Sequence, residues 1–312
     1  MNPIFAMQQA VDIVLSSPHP DNKIAATLFK NQESISKTNE WPPIILEKLG
    51  MNKRIGDSSG TIHAEINCIM DAKFKVEGAN LAITDPCCPN CAKCIAEAGI
   101  KSVYIDHKGF QKDFAVRRGG EFQDMSLRIL AHAGINIYEV ARKEKKITTL
   151  YEAPIDYIPP EDNPIEIRPC NQSVSLQTLM KALGLVKVKH ERWGCALATD
   201  KNGKVFTLVA SAHPAIGYTE RNIEDSDGKY DFFLEPVNRL IIGSAREGLT
   251  LSNTLLWCSV LPSPREMINL ISGNFEKIYI GNTEKAKKDA SIEAKETLES
   301  RGILLFERLS ID

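Results

Sequence analysis

Hydrophobic and polar positions along the first 140 residues alternate with periods that predict helices and strands in turn. Apolar spacing of three to four residues is typical of a helix, and a short apolar run is typical of a buried strand. The predicted elements, in order, are a helix over residues 4–16, a strand over 24–30, a strand that begins at 33, a polar connection over 45–60, a helix that begins at 62, a strand over 81–84, a helix over 91–99, a strand over 101–107, and a helix and a strand within 126–140. This order predicts an α/β fold in which helices cover both faces of a mixed sheet.

The pattern changes after residue 140 and then returns. Residues 141–170 are charged and then rich in proline and acid, which predicts a linker that can include one short strand. Beyond it, three segments of the first part have counterparts: KSVYI (101–105) in EKIYI (276–280), AGINIYE (133–139) in RGILLFE (301–307), and HAEIN (63–67) in LEPVN (234–238). The sequence therefore predicts a degenerate repeat, with domains over 1–140 and 171–312.

Composition adds little to this picture. The 312 residues are 43% hydrophobic and 25% charged, with a net charge of −2, which is typical of a globular protein. The absence of a basic excess makes nucleic acid a less favoured partner, although Arg117-Arg118 or residues 142–146 can form a local basic strip. The N-terminal helix is amphipathic, lacks a basic leader and is too short to span a membrane, so the expected location is the cytoplasm.

Four residues carry the pattern H-x-E followed by C-x-x-C: His63, Glu65, Cys88 and Cys91. This pattern resembles the H-x-E…P-C-x-x-C signature of zinc nucleobase deaminases. A catalytic zinc takes three protein ligands and leaves one position for water, and the imidazole and the two thiolates supply three. Glu65, beside the metal, is then placed to carry the protons of a hydrolytic deamination.

The cysteines also allow two other uses. Four of them, at positions 87, 88, 91 and 94, can form a structural all-cysteine zinc site, but adjacent Cys87 and Cys88 rarely both bind one tetrahedral metal, and this reading leaves the HAE segment unexplained. Eight cysteines in 312 residues do not suggest a disulfide framework. This segment alone does not decide between two pairs of cysteine ligands, Cys88 with Cys91 and Cys91 with Cys94.

The HAEIN segment with CIAEAGIKSVYI resembles the cytidine deaminase superfamily, and most of all its deoxycytidylate (dCMP) deaminases, over about residues 5–140. The resemblance implies one Zn²⁺ per chain in the N-terminal domain, a small pyrimidine nucleotide as substrate and assembly as a homo-oligomer such as a dimer. In that branch an Asn-x-x-Pro turn ends a strand at the pocket wall. Asn39 of Asn39-Glu40-Trp41-Pro42 is therefore the candidate for contacting the sugar hydroxyl.

One departure from the family pattern is resolved by the repeat. Proline stands at residue 86, one place early, and Cys87 occupies its usual position. In the register of KSVYI, residues 87–91 fall on 262–266, where Pro262 holds the family position, and this supports Cys88 and Cys91 as the ligand pair. The alignment replaces the four chemical residues as follows: His63 by Leu234, Glu65 by Pro236, Cys88 by Ser263 and Cys91 by Glu266.

The resemblance and the repeat together predict tandem cytidine-deaminase-like α-β-α sandwiches, each a mixed sheet of about five strands covered by helices. The first is predicted to be catalytic and the second, residues 171–312, to be catalytically inactive. An unrelated α/β domain stays an alternative for the second copy. The long polar segment 217–233 is either a solvated loop or a loop that reaches a pocket.

The leading function is hydrolytic deamination of a cytosine nucleotide, dCMP to dUMP and ammonia, for which Arg117-Arg118 and Lys53-Arg54 are candidate phosphate-binding residues. The nearest alternative is deamination of a base within nucleic acid, such as a tRNA adenosine or cytosine, or of a free nucleoside. An alternative of another class is a non-enzymatic binding or regulatory protein that zinc stabilises. It predicts that Glu65 is dispensable.

Overall fold

The protein is described by a computed structural model that covers residues 1–51, 55, 60–111, 119–187, 191–223, 231–286 and 289–311. It is an α/β structure with two mixed six-stranded sheets covered by helices, so the predicted fold class is confirmed. We call residues 1–151 the first half and residues 152–311 the second half.

The first half contains five helices and six strands among the described residues. The helices are α1 (Pro3–Ile13), α2 (Pro43–Leu49), α3 (Ala64–Asp71), α4 (Pro89–Glu97) and α5 (Gly119–His132). The strands are β1 (Ala25–Lys30), β2 (Glu33–Thr38), β3 (Asn80–Ile83), β4 (Ser102–Asp106), β5 (Asn136–Ala141) and β6 (Lys146–Tyr151). Two 3₁₀ turns, Val14–Ser16 and His107–Gln111, follow α1 and β4.

The described part of the second half contains four helices and eight strands. The helices are α6 (Leu176–Gly184), α7 (Pro236–Glu247), α8 (Pro264–Ser272) and α9 (Asp289–Ser300). The strands are β7 (Glu166–Cys170), β8 (Trp193–Thr199), β9 (Val205–Ser211), β10 (His213–Pro214), β11 (Phe233–Leu234), β12 (Thr250–Leu261), β13 (Lys277–Ala286) and β14 (Leu305–Arg308).

The two sheets share the topology of a five-stranded core, β2-β1-β3-β4-β5 in the first and β9-β8-β12-β13-β14 in the second, and their sixth strands, β6 and β7, lie at opposite edges of that core. Their strand orders are β2-β1-β3-β4-β5-β6 and β14-β13-β12-β8-β9-β7. In the first, β1 is antiparallel to β2 and β3, while β3, β4 and β5 run parallel. In the second, β8 is antiparallel to β9 and β12, while β12, β13 and β14 run parallel. Helices α3, α4 and α5 therefore correspond by chain order to α7, α8 and α9.

Two local expectations are wrong. The predicted polar connection over 45–60 contains helix α2, which begins at Pro43. Ile45 is the one residue of this helix that is buried, so its sequence lacks the apolar spacing that predicts a helix. The predicted linker over 141–170 contains β6 and β7. These two edge strands raise each sheet from about five strands to six.

The halves pack against each other through a continuous hydrophobic core. Buried members of this core include Ile66 and Ile95 of the first half and Leu240 and Ile241 of the second. Backbone bonds also cross between the halves, with the amide of Val76 donating to the carbonyl of Ala245 at 3.1 Å. Among the described residues, no helix is long and apolar enough to cross a membrane.

Candidate metal centre and active site

The candidate ligands lie where two helices begin. His63 is the N-cap residue of α3, and Cys88 is the N-cap residue of α4, whose first helical position is Pro89. Proline is favoured at this position because the first helical N–H has no intrahelical acceptor. Cys91 follows in the first turn of α4, so both thiols lie at the positive end of a helix dipole, which stabilises a thiolate.

The side chains of His63, Cys88 and Cys91 converge. The Nδ1 atom of His63 lies 3.1 Å from the Sγ of Cys91 and 3.5 Å from the Sγ of Cys88. The ligand atoms of all three residues lie within 4.8 Å of one another. The group holds Cys88 with Cys91, not Cys91 with Cys94, in agreement with the pair that the repeat supports.

The arrangement fits a zinc ion. Tetrahedral Zn–S and Zn–N bonds of about 2.3 and 2.0 Å place neighbouring ligand atoms about 3.5 to 3.8 Å apart. The two sulfur–nitrogen separations of 3.1 and 3.5 Å are close to this spacing. The donor set of one imidazole and two thiols is also one that zinc prefers.

Local electrostatics prepare one thiol as a thiolate. The pKa of Cys88 is held well below its ordinary value, because the Cys91 thiol donates a hydrogen bond to it and the His63 imidazole lies nearby. The backbone amide of Cys91 also donates to the Cys88 sulfur at 3.4 Å. A deprotonated sulfur among these groups is the form that binds a metal ion.

Glu65 lies in the first turn of α3, two residues after His63, and is 3% exposed. Burial raises the pKa of its carboxyl to about 7, and the neighbouring His63 opposes this rise. A carboxyl group in such surroundings can exchange protons near neutral pH.

Asn39 is buried and holds the turn that precedes β1. Its Oδ1 accepts hydrogen bonds from the Ser17 hydroxyl at 2.7 Å and the Ile24 amide at 2.9 Å. Its Nδ2 donates to the carbonyl of Asn22 at 2.8 Å. These bonds use both lone pairs of the oxygen and one of the two Nδ2 hydrogens, so a contact from Asn39 to a sugar hydroxyl stays a prediction.

The sequence analysis missed the turn over residues 17–22, which packs on Asn39. His19 of this turn stacks on Trp41, with ring centroids 5.4 Å apart, and both residues are buried. The signal was available: the cluster Ser-Pro-His-Pro-Asp-Asn stands directly before β1. The candidate phosphate-binding pairs Lys53-Arg54 and Arg117-Arg118 lie outside the described residues.

The corresponding position of the second half is built differently. Glu235 is the N-cap residue of α7, so it, and not Leu234, corresponds to His63, and the predicted alignment of HAEIN with LEPVN is one residue out of register. Ser263 is the N-cap residue of α8 and is followed by Pro264, as Cys88 is by Pro89. This second correspondence agrees with the predicted one.

A carboxylate joins the two helix ends in the second half. Glu266 Oε1 accepts from the amides of Val237 and Asn238 of α7 at 2.9 and 3.2 Å. Its Oε2 accepts from the amide and hydroxyl of Ser263, at the start of α8, at 2.8 and 2.9 Å. In place of a histidine and two thiols, one side chain satisfies the N-termini of both helices.

The fold and the converging ligands define an α/β protein with a candidate catalytic metal centre in its first half. The family model described as the cytidine and deoxycytidylate deaminase zinc-binding region matches residues 3–107. An uncharacterised deaminase of the luxG 3′ region of Aliivibrio fischeri is 30% identical over 122 residues, which are 39% of this chain and 81% of that protein. The chain belongs to the cytidine and deoxycytidylate deaminase family.

Two further comparisons are with phage proteins. The deoxycytidylate deaminase of Enterobacteria phage T4 is 35% identical over 89 residues, which are 28% of this chain and 41% of that enzyme. The crystal structure of the dCMP deaminase of cyanophage S-TIM5 in complex with dCMP and dUMP is 22% identical, with a TM-score of 0.34. That match covers 45% of this chain and 99% of the phage chain.

Proposed function

We propose that the first half catalyses zinc-dependent hydrolytic deamination of a cytosine nucleotide, in which dCMP and water give dUMP and ammonia. The observation that carries this proposal is the convergence of His63, Cys88 and Cys91 beside the buried carboxyl of Glu65. Membership of the deaminase family and the similarity to the deoxycytidylate deaminase of phage T4 support the choice of substrate.

The roles of the residues follow from their chemistry. His63, Cys88 and Cys91 would hold a zinc ion, which would supply the Lewis acidity that makes water a nucleophile at neutral pH. Glu65 accepts the proton of the attacking water and delivers protons to the ring nitrogen and to the departing ammonia. Its burial keeps bulk water away from the carboxyl, so that the proton stays in the site.

The second half is proposed to be a deaminase-like domain without catalytic activity. Five strands of its sheet repeat the order and directions of five strands of the first sheet, which supports a common fold. At the helix ends that correspond to His63, Cys88 and Cys91 it carries Glu235, Ser263 and Glu266. These residues hydrogen-bond to the protein itself, so the proposed zinc stoichiometry is one per chain.

The test is the fall in ultraviolet absorbance of cytosine when the purified full chain is mixed with dCMP, compared between wild type, Glu65→Ala and the near-isosteric Glu65→Gln. We expect turnover by the wild type and its loss in both variants, with zinc content unchanged. A zinc-loaded wild type that leaves dCMP intact would refute the proposed substrate. Release of ammonia from cytidine, adenosine and tRNA then separates the alternative substrates. Equal activity of wild type and Glu65→Gln would refute the role of Glu65.

A further inference from the structure

Helix α4, which carries Cys88 and Cys91, is held by the second half through two buried charged side chains. Lys93 and Glu97 are four residues apart and therefore lie on one face of the helix. They are 3% and 4% exposed. Their partners lie at least 130 residues further along the chain, in the second half.

The ammonium group of Lys93 is bound by the segment that leads into α7. Its Nζ donates to the carbonyls of Asp231 and Phe233 at 2.8 and 2.7 Å and lies 3.3 Å from the carboxylate of Asp231. A buried ammonium is stable only where its donors are satisfied, so these oxygens fix the position of the side chain. Lys93 is also two residues after Cys91.

Glu97 forms the second contact, one turn further along α4. Its carboxylate lies 3.1 Å from the Nε of Arg239, which is 1% exposed. The remaining guanidinium nitrogens donate to the carbonyls of Ser211 and Asn163 at 3.0 and 2.7 Å. Arg239 therefore ties α4 to α7, to the end of β9 and to the segment before β7, a geometry that a lysine cannot reproduce.

A third contact reaches the segment that carries the histidine. Arg265, in the first turn of α8, donates from Nη1 to the carbonyl of Thr61 at 2.6 Å. Thr61 is buried and stands two residues before His63. The second half thus contacts both chain segments that supply candidate ligands.

We infer that the second half is a built-in positioning partner of the metal centre, with Lys93, Arg239 and Arg265 as the positioning residues that keep His63 and the two cysteines in register. This inference rests on the proposed function, because it assumes that these ligands bind zinc. The groups that orient ligands from outside the coordination sphere change metal affinity by about 10- to 100-fold when they are lost. Metal binding is linked to folding, so the cobalt spectrum, which reports the geometry of the ligands, separates a positioning role from a loss of stability.

The test compares Lys93→Met with Lys75→Met in the full chain. Lys75 also bonds across the halves, to Glu247 at 2.8 Å, but it is exposed, and its ion pairs are with Glu77 and Glu247 and not with residues of α4 or of the histidine segment. The measurements are zinc per chain, the rate of zinc release to a coloured chelator, and the absorption bands of the cobalt-substituted protein. We expect Lys93→Met to release zinc at least about 10-fold faster and to shift the cobalt bands, and Lys75→Met to match the wild type.

Lys93→Met with unchanged release rate and cobalt spectrum would overturn the inference. If this variant does not fold, Arg265→Met decides by the same measurements, because that side chain is only partly buried and its loss removes the bond to Thr61. The proposed substrate fails separately: a wild type that binds zinc tightly but leaves dCMP intact refutes the substrate, while the release rates still decide the positioning role.

Discussion

Glu266 occupies in α8 the third helical position that Cys91 occupies in α4. The N-cap residues before them, Ser263 and Cys88, each accept a hydrogen bond from the amide at this third position. The two halves therefore contain the same pair of neighbouring helix N-termini, but different side chains connect the two N-termini in each half. The first half brings three candidate metal ligands together, and the second half uses a carboxylate that accepts four hydrogen bonds.

The ligand set predicts the metal content of variants. Replacing Cys88 or Cys91 by serine removes a thiolate ligand. Because a three-ligand site loses most of its affinity when one ligand is removed, we expect the zinc content to fall from one ion per chain to less than about a tenth of an ion per chain. Elemental analysis after dialysis measures this. Cys195→Ser, a buried cysteine of the second half, is the control and keeps the metal. A Cys88→Ser protein with full zinc content contradicts the assigned site.

The bridging carboxylate predicts a stability difference. Glu266→Ala leaves the buried amides of Val237, Asn238 and Ser263 without their acceptor, and we expect the free energy of unfolding to fall by about 2 to 4 kcal/mol. Glu266→Gln keeps one acceptor oxygen and loses less. Trp193 and Trp257 pack in the second half with ring centroids 4.5 Å apart, so tryptophan fluorescence in a Trp41→Phe background reports urea unfolding of this half. Equal stability of Glu266→Ala and the Trp41→Phe parent would show that the bridge is unimportant.

The same carboxyl predicts a pH dependence. Burial raises the pKa of Glu266 to about 7 in the folded protein, with a further contribution from Glu235, while its pKa in the unfolded chain is near 4.5. A raised pKa favours the protonated form, so this contribution to stability is complete below about pH 4.5 and is lost as the pH rises through 7. We expect urea midpoints of the second half to fall between pH 5 and 8, and this slope to be smaller in Glu266→Gln. A slope of the opposite sign in the difference between the two proteins contradicts the assignment.

The structural role of Asn39 and its predicted role in substrate binding can be tested separately. Asn39→Ala removes the acceptor of Ser17 and Ile24, and we expect it to destabilise the first half by about 1 to 3 kcal/mol. Asn39→Asp keeps the acceptor and removes the donor. If the free Nδ2 hydrogen binds the sugar, Asn39→Asp raises the KM for dCMP at least about 10-fold, which corresponds to about 1.4 kcal/mol. An unchanged KM in a folded Asn39→Asp variant would mean that Asn39 stabilises the turn and does not bind the sugar.

A substitution at Gly217 tests how much the contact between the halves contributes to the free energy of unfolding. Its φ is +95°, and a Cβ here would overlap the backbone of His132, whose ring stacks on Tyr218 at 4.5 Å. We expect Gly217→Ala to lower the free energy of unfolding by more than about 2 kcal/mol, because strain and overlap add. Gly203→Ala is the control: its φ is +79°, but nothing lies within 4 Å of the added atom, so only the strain of about 1 kcal/mol applies. Equal losses from the two substitutions would mean that the overlap relaxes freely.

Much of the metal centre could be predicted from sequence because its residues are close along the chain. His63 and Glu65 are two apart and Cys88 and Cys91 are three apart, so helix geometry fixes most of their relationship. The N-termini of α3 and α4 lie close together because one short strand, β3, connects the two helices. The bonds that Asn39 makes to residues 17, 22 and 24 depend on how a turn folds over β2, which no spacing reveals.

The second half was harder to align for a physical reason. Its match to HAEIN depended on two positions, Val237 and Asn238, and on a change in the length of the connection that follows. A sharper signal was present in the prolines: Pro236 and Pro264 both stand at the first helical position, as Pro89 does in α4. Proline at this position marks the N-cap directly, and it places Glu235 opposite His63.

The ion pair of Glu97 and Arg239 joins a helix of the matched deaminase region to a residue far outside it. If the first half is a deaminase, selection on its reaction therefore also acts on the second half. Ser263 and Glu266 cap helix ends and Glu235 pairs with Arg192, whereas the loss of Arg239 leaves the carboxylate of Glu97 buried without this partner. In a set of natural relatives with both halves, the residue at 239 should change only together with the residue at 97.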